Sequence, residues 1–228
     1  MTSLRRVQCA LSALYDLEPS ANVDDFVCDE LTAQALGGED ALERREVLFV
    51  VEDHDEHFVG LYLDPQARIA IETEDAWCGQ FDAMCLAAEG VSHFVYVQFR
   101  ADHHQHVQEL ELELQAEVDK YVLALLDERV THDPHALEGN GVGILFAGSP
   151  LGKLRERSRA LRHQLFAEAR FIDDAESARG ERYRTASKLA GAYAEELERL
   201  CLHRGALLTE LRRFYRLGMR GKVERCGG

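Results

Sequence analysis

The spacing of apolar and polar positions changes several times along the chain, and each change marks an element. Leu4, Val7, Leu11, Leu14 and Tyr15 recur at helical spacing. That helix ends before Pro19, because the residue preceding a proline disfavours helical dihedrals. A second, short helix carries Phe26, Val27 and Leu31, with Asn22 or Asp24 as its cap and Gly37-Gly38 as its end. Residues 46–53 alternate as a strand, and residues 57–64 return as its hairpin partner across a polar tip. Pro65-Gln66 turns the chain into a third strand over residues 68–72. Trp77, Phe81, Met84, Cys85 and Ala88 then mark a helix that Gly90 terminates.

The stretch that follows organises the rest. Residues 91–99 are mostly β-branched or aromatic, with Val95, Val97 and Phe99 on one face and Phe94 and Tyr96 on the other. Large apolar groups on both faces predict an interior strand. Val107, Leu110, Leu114, Val118, Tyr121 and Leu125 then follow at helical spacing. Leu110, Leu112 and Leu114 also alternate with Glu111 and Glu113, as a strand would. The helix-forming composition and the length of the pattern decide for helix. Two helices, three strands, a helix, a strand and a long helix make an α+β fold, an antiparallel sheet with helices packed on one face.

Residues 131–151 are rich in glycine and contain Pro134 and Pro150, with a short apolar run at 142–146 that reads as an extra strand. Beyond them the pattern is helical. Leu154, Leu161, Leu165 and Phe166 define one helix, and Leu207, Leu211 and Phe214 open another after Gly205. Between them Tyr183, Ala186, Ala190, Tyr193, Leu197 and Leu200 keep a 3-4 spacing, the narrow seam of helix-on-helix packing. The expected division is an acidic α+β body over 1–135, a linker over 136–152 and a three-helix extension over 153–228.

Charge sharpens that division. The 228 residues carry a net charge of −15. Residues 1–150 hold 30 acidic and 8 basic side chains, whereas 151–228 hold 11 and 18. A basic helical region either docks near an acidic body or faces a partner, since such fields steer association. No apolar run reaches the roughly 20 residues of a membrane span. Gln8, Ser12 and Asp16 interrupt the apolar stretch after Arg5 and Arg6, so it reads as an amphipathic surface helix, not a leader. The six cysteines lack any C-x-x-C pair and fit free thiols of a reducing cytoplasm, the expected location.

Candidate chemistry concentrates in a few places. His103, His104 and His106 are the densest group of metal-capable side chains, and imidazole suits a transition metal. Neighbours on a turn diverge, so ligands from elsewhere (His54, His57, His132 or His135) would have to join them. His93 reads as a core histidine bonded to backbone. Glu109, Glu111, Glu113, Glu117 and Asp119 read as a solvated helix face, not as paired catalytic carboxylates. Gly148 to Lys153 resembles a phosphate loop in position, but Ala147 and Leu154 stand where that loop needs glycine and Ser or Thr. The carboxyl end offers Arg212, Arg213, Phe214, Arg216, Arg220 and Lys222 as a partner-binding set. The acidic body argues against nucleic acid as that partner.

No constellation in the sequence amounts to an active site. The expectation is therefore a non-enzymatic interaction module with no cofactor: an adaptor, a chaperone-like protein or an assembly subunit. Its partner would be a protein, or a second copy docked through the helix carrying Tyr183 and Leu200. Two other readings stand beside it. One is a metal-dependent enzyme centred near His103 and His106, and the other is nucleic-acid binding through the basic end.

Overall fold

The computed structural model describes residues 1–53, 56–72, 80–126, 151–169, 171, 173, 174, 176–200 and 206–227. The protein is mostly helical, with one small antiparallel sheet. Helix α1 (Ser3–Tyr15) is capped by the Thr2 hydroxyl, which accepts from the Arg5 amide at 3.1 Å. The expected second helix is two elements. A 3₁₀ turn (Val23–Phe26) is capped by Asn22, and α2 (Glu30–Gly37) is capped by Asp29, with α3 (Glu39–Glu43) following. Strands β1 (Glu46–Asp53) and β2 (Glu56–Leu63) form the expected hairpin, in register from Glu46 opposite Leu63 to Asp53 opposite Glu56.

Two predicted strands are helices. Residues 68–72 belong mostly to α4 (Pro65–Ile71). Asp64 accepts from the Ala67 amide at 2.8 Å, and Pro65 sits in the first helical turn, where its missing N–H costs nothing. Residues 91–99 lie inside α5 (Phe81–Asp102), a 22-residue helix. The six residues from Val91 to Tyr96 are all at most 4% exposed, so large apolar side chains face several sides of this stretch because it is buried on every side. Gly90 does not end it. A Cβ there would come within 2.9 Å of Leu61 Cδ1 and 3.0 Å of Glu46 Cγ, so the missing side chain lets the hairpin lie directly on α5.

Helix α6 (Glu109–Leu126) packs along α5 and is itself buried over most of its length. The acidic residues expected on a solvated face are mostly interior. Glu111, Glu113, Glu117 and Asp119 are 3%, 7%, 8% and 1% exposed, and Glu109 alone of the run extends into solvent. Helices α7 (Leu151–Arg162) and α8 (Ala178–Leu200) cover the far side of α6. The α8 seam is filled by α6 of the same chain, with Ala186, Ala190, Tyr193 and Leu197 buried. Helix α9 (Leu207–Arg216) packs on α1, and α10 (Met219–Arg225) on α6. Core residues of both charge halves, from Leu4 to Phe214, join one hydrophobic cluster.

A polar network ties the carboxyl end into that cluster. Asp119 accepts from the Tyr15 hydroxyl, from Ser92 at 2.5 Å and from Gln115 at 2.8 Å. Gln115 in turn accepts from the Lys222 ammonium, which also lies over the rings of Phe214 and Tyr96 at 4.4 and 4.9 Å. Beside it Arg100 pairs with Glu111 and donates to the Leu217 carbonyl at 2.6 Å, while the Tyr96 hydroxyl donates to Glu111 at 2.5 Å. Residues 142–146, Trp77, His54, His132, His135, Gly205 and the glycine-proline turn before α7 lie outside the described residues. Among the described residues, no helix is long and apolar enough to cross a membrane.

Candidate functional site

A cleft of about 1260 Å³ opens between the start of β1, helices α5, α6 and α8, and the chain that follows α7. Helical spacing fills its floor with charge. Glu89 and His93 are one turn apart on α5, and Glu113 and Glu117 are one turn apart on α6. The hairpin brings Glu46 down beside His93, and α8 adds Arg179, Arg182 and Tyr183 from the opposite wall. Four elements thus converge on a few ångströms.

The geometry centres on His93, whose side chain is only 5% exposed. Its Nδ1 lies 3.3 Å from Glu46 Oε1, and its Nε2 lies 3.5 Å from Glu113 Oε2. Nε2 makes no hydrogen bond although it is buried. One ligand atom each from Glu89, His93 and Glu113 lie within 4.8 Å of one another. The other two members of the floor are paired: Lys120 Nζ lies 2.9 Å from Glu89 Oε2 and 2.6 Å from Glu117 Oε1. Arg182 Nε stands 3.8 Å from Glu113 Oε1, and its guanidinium also pairs with the exposed Glu109.

Burial and field compete throughout this floor. Burial works against the His93 imidazolium, but the carboxylates of Glu46 and Glu113 outweigh it and hold its pKa well above the usual range. Burial raises Glu46, with His93 opposing, and raises Glu117, with Lys120 opposing. At Glu89 burial loses to the Lys120 and His93 charges, so its carboxyl sits below the ordinary value. Burial and the fields of Glu113, Glu89 and Glu46 push the Tyr183 phenol up, which keeps it a protonated donor at the edge of the cluster. Cys85, in the same wall, is pushed by burial up to about 12 and stays a thiol.

The residues singled out from the sequence stand elsewhere. His103, His104 and His106 are exposed on the turn between α5 and α6. His103 Nδ1 is 2.8 Å from the Phe99 carbonyl, and His104 takes a left-handed φ of 53°. Among the described residues, Glu89, His93 and Glu113 are the one set of three metal-capable side chains that converges. The carboxyl-end set is split. Phe214 and Lys222 are fully buried, with Phe214 stacked on Tyr193 at 3.9 Å. Arg212 reaches back to the Leu14 and Ala13 carbonyls at 3.0 and 3.1 Å. Arg213, Arg216 and Arg220 remain at the surface.

Sequence reasoning passed over His93 because a strand at 91–99 leaves it alone on its face. It bonds no backbone; its neighbours are carboxylates. The signal was present as two pairs at i, i+4, Glu89 with His93 and Glu113 with Glu117, which become meaningful once both segments are helices. Neither a protein-family model, nor a curated protein, nor a solved structure matches the chain.

Proposed function

We propose that this protein is a divalent-metal-dependent enzyme whose ion is held by Glu89, His93 and Glu113 at the floor of the cleft. The carrying observation is His93 Nε2: a buried nitrogen with no hydrogen bond, facing a carboxylate. Its other nitrogen faces Glu46, the arrangement in which a carboxylate fixes the tautomer and orientation of a metal-binding imidazole. Charge supports the same reading. The floor holds four carboxylates, Glu46, Glu89, Glu113 and Glu117, against two permanent cations, Lys120 and Arg182. A divalent ion at His93 would replace its imidazolium proton and offset the excess negative charge, and buried charge demands such a counter-charge.

One nitrogen and two carboxylate ligands suit zinc, manganese or iron and leave coordination positions open. An ion there would supply Lewis acidity toward a substrate oxygen or a water. The cleft is roomy enough for a small polar substrate beside it, and Tyr183 supplies a hydrogen-bond donor from the opposite wall. Protein purified without a histidine tag and stripped with chelator should take up one equivalent of Mn²⁺ or Zn²⁺ by elemental analysis. His93→Ala should lose it, and Glu46→Gln should weaken it about 10–100-fold. Wild-type protein that binds no metal, or His93→Ala that binds as well as wild type, ends this reading.

The hairpin favours a second reading, the interaction module. Among the described residues β1 pairs on one side only, and Val50, Val51 and Phe58 are 49%, 39% and 44% exposed. An unpaired edge with apolar side chains is a template for a partner strand. If Val50→Lys with Phe58→Lys leaves every co-purifying protein in place, the hairpin is not a docking edge.

A further inference from the structure

We infer that Lys120 occupies the place of a second cation, and that its ammonium is what keeps the proposed metal centre mononuclear. The inference rests on the metal reading above and specifies its stoichiometry. Glu46, Glu89, His93, Glu113 and Glu117 together offer the donors that two divalent ions sharing carboxylates require. One place among them is open, beside His93 Nε2 and Glu113. The other is filled by Lys120 Nζ, which bridges Glu89 on α5 and Glu117 on α6 at 2.9 and 2.6 Å. A lysine head group is a compact point charge, and here it makes the link between two helices that a bridging ion would make.

Burial makes the substitution effective. Lys120 and Glu117 side chains are 10% and 11% exposed, so water screens their attraction little. The Lys120 ammonium is held on two sides, by Glu89 from α5 and by Glu117 from α6. A second divalent ion would have to expel it, and would meet Glu89 and Glu117 already neutralised. Glu89 is both a partner of Lys120 and a member of the converging set, so the residue is shared between the fixed cation and the exchangeable one.

Removing the ammonium should therefore open the second place. At saturating Mn²⁺ wild-type protein should hold one equivalent, and Lys120→Met should hold two, read by elemental analysis. Electron paramagnetic resonance should show an exchange-coupled pair in Lys120→Met and an isolated ion in wild type. Lys120→Arg keeps the charge and should stay at one. Glu117→Gln should also stay at one, whereas Lys120→Met with Glu117→Gln should fall back to one. Thermal melts check that each variant is folded, and Lys120→Gln replaces Lys120→Met if the latter does not fold. Wild type at one with both neutral variants also at one overturns this inference and leaves the metal reading intact. Wild type at zero overturns both.

Discussion

Two clusters of buried charge sit back to back across α5 and α6, and they are finished differently. The closed one, around Asp119, Glu111, Arg100 and Lys222, is held mostly by partners within the protein. Each of its charged side chains donates to or accepts from protein: Asp119 from three side chains, Glu111 from Tyr96 and Arg100, Lys222 to Gln115. The open one, around His93, faces the cleft and leaves a histidine nitrogen without a hydrogen bond. Polar atoms sealed from water generally find partners inside the protein, and the closed cluster does so for its two carboxylates and its lysine, with Arg100 Nε left over. Where a cleft reaches the charges, an external group can complete them. On the proposed reading the closed cluster is structural and the open one chemical.

Breaking the closed cluster should cost most. Arg100→Met leaves Glu111, 3% exposed, without its guanidinium, and losing one partner of a buried pair costs about 3–5 kcal/mol. Urea unfolding that shows a loss below about 1 kcal/mol would erase the distinction drawn above. Lys222 gives the next effect. Burial holds its pKa at about 7, with Glu111 and Asp119 opposing, while in the unfolded chain it is near 10.4. Between those values the unfolded chain binds more protons, so this lysine makes the protein more stable as pH rises from about 7 to about 10. The term is at most about 5 kcal/mol, and it should vanish in Lys222→Met. Only the difference between wild type and variant isolates it. The Cys85 and Cys226 thiols, pushed by burial up to about 12 and about 11, act with the opposite sign over part of that range. Identical pH profiles for the two proteins would show the ammonium to be solvated.

The smallest stability effect belongs to the open cluster. Glu113→Gln keeps the shape, relieves repulsion among four carboxylates and leaves His93 its contact with Glu46. Its effect on unfolding should stay within about 1 kcal/mol, as functional sites are not built for stability. A loss of 3 kcal/mol or more at Glu113 would make the open cluster as structural as the closed one.

What was legible in the sequence follows from which signals are local. The β1–β2 hairpin alternates on either side of a polar tip, and α1, α6 and α8 repeat at helical spacing, so each was read with its right type. Residues 91–99 carry no such signal, because a segment buried over most of its length has apolar groups on every side whether helix or strand. Continuity with Phe81, Met84 and Ala88, at a length no ordinary strand reaches, would have decided it. Asp64-Pro65 was a helix start read as a turn. The site was hidden for a further reason. Glu113 and Glu117 have the pattern of a solvated face, and only tertiary packing shows that this face meets another charged face inside the protein. Lys222 misled in the same way, since a basic tail reads as surface until its aromatic surroundings are known.

Gly90 carries a consequence for how this protein can vary. A glycine inside a helix forfeits roughly 1 kcal/mol relative to alanine, so on local grounds alone alanine is the better residue at that position. It would nonetheless press a methyl group against Leu61 Cδ1 and Glu46 Cγ, and those side chains would have to shift. Glu46 is the carboxylate beside the histidine three residues later, so its shift would disturb that contact. Helix strength and the spacing of the cluster are therefore exchanged at a single position, and drift toward a stiffer α5 is drift away from an assembled centre.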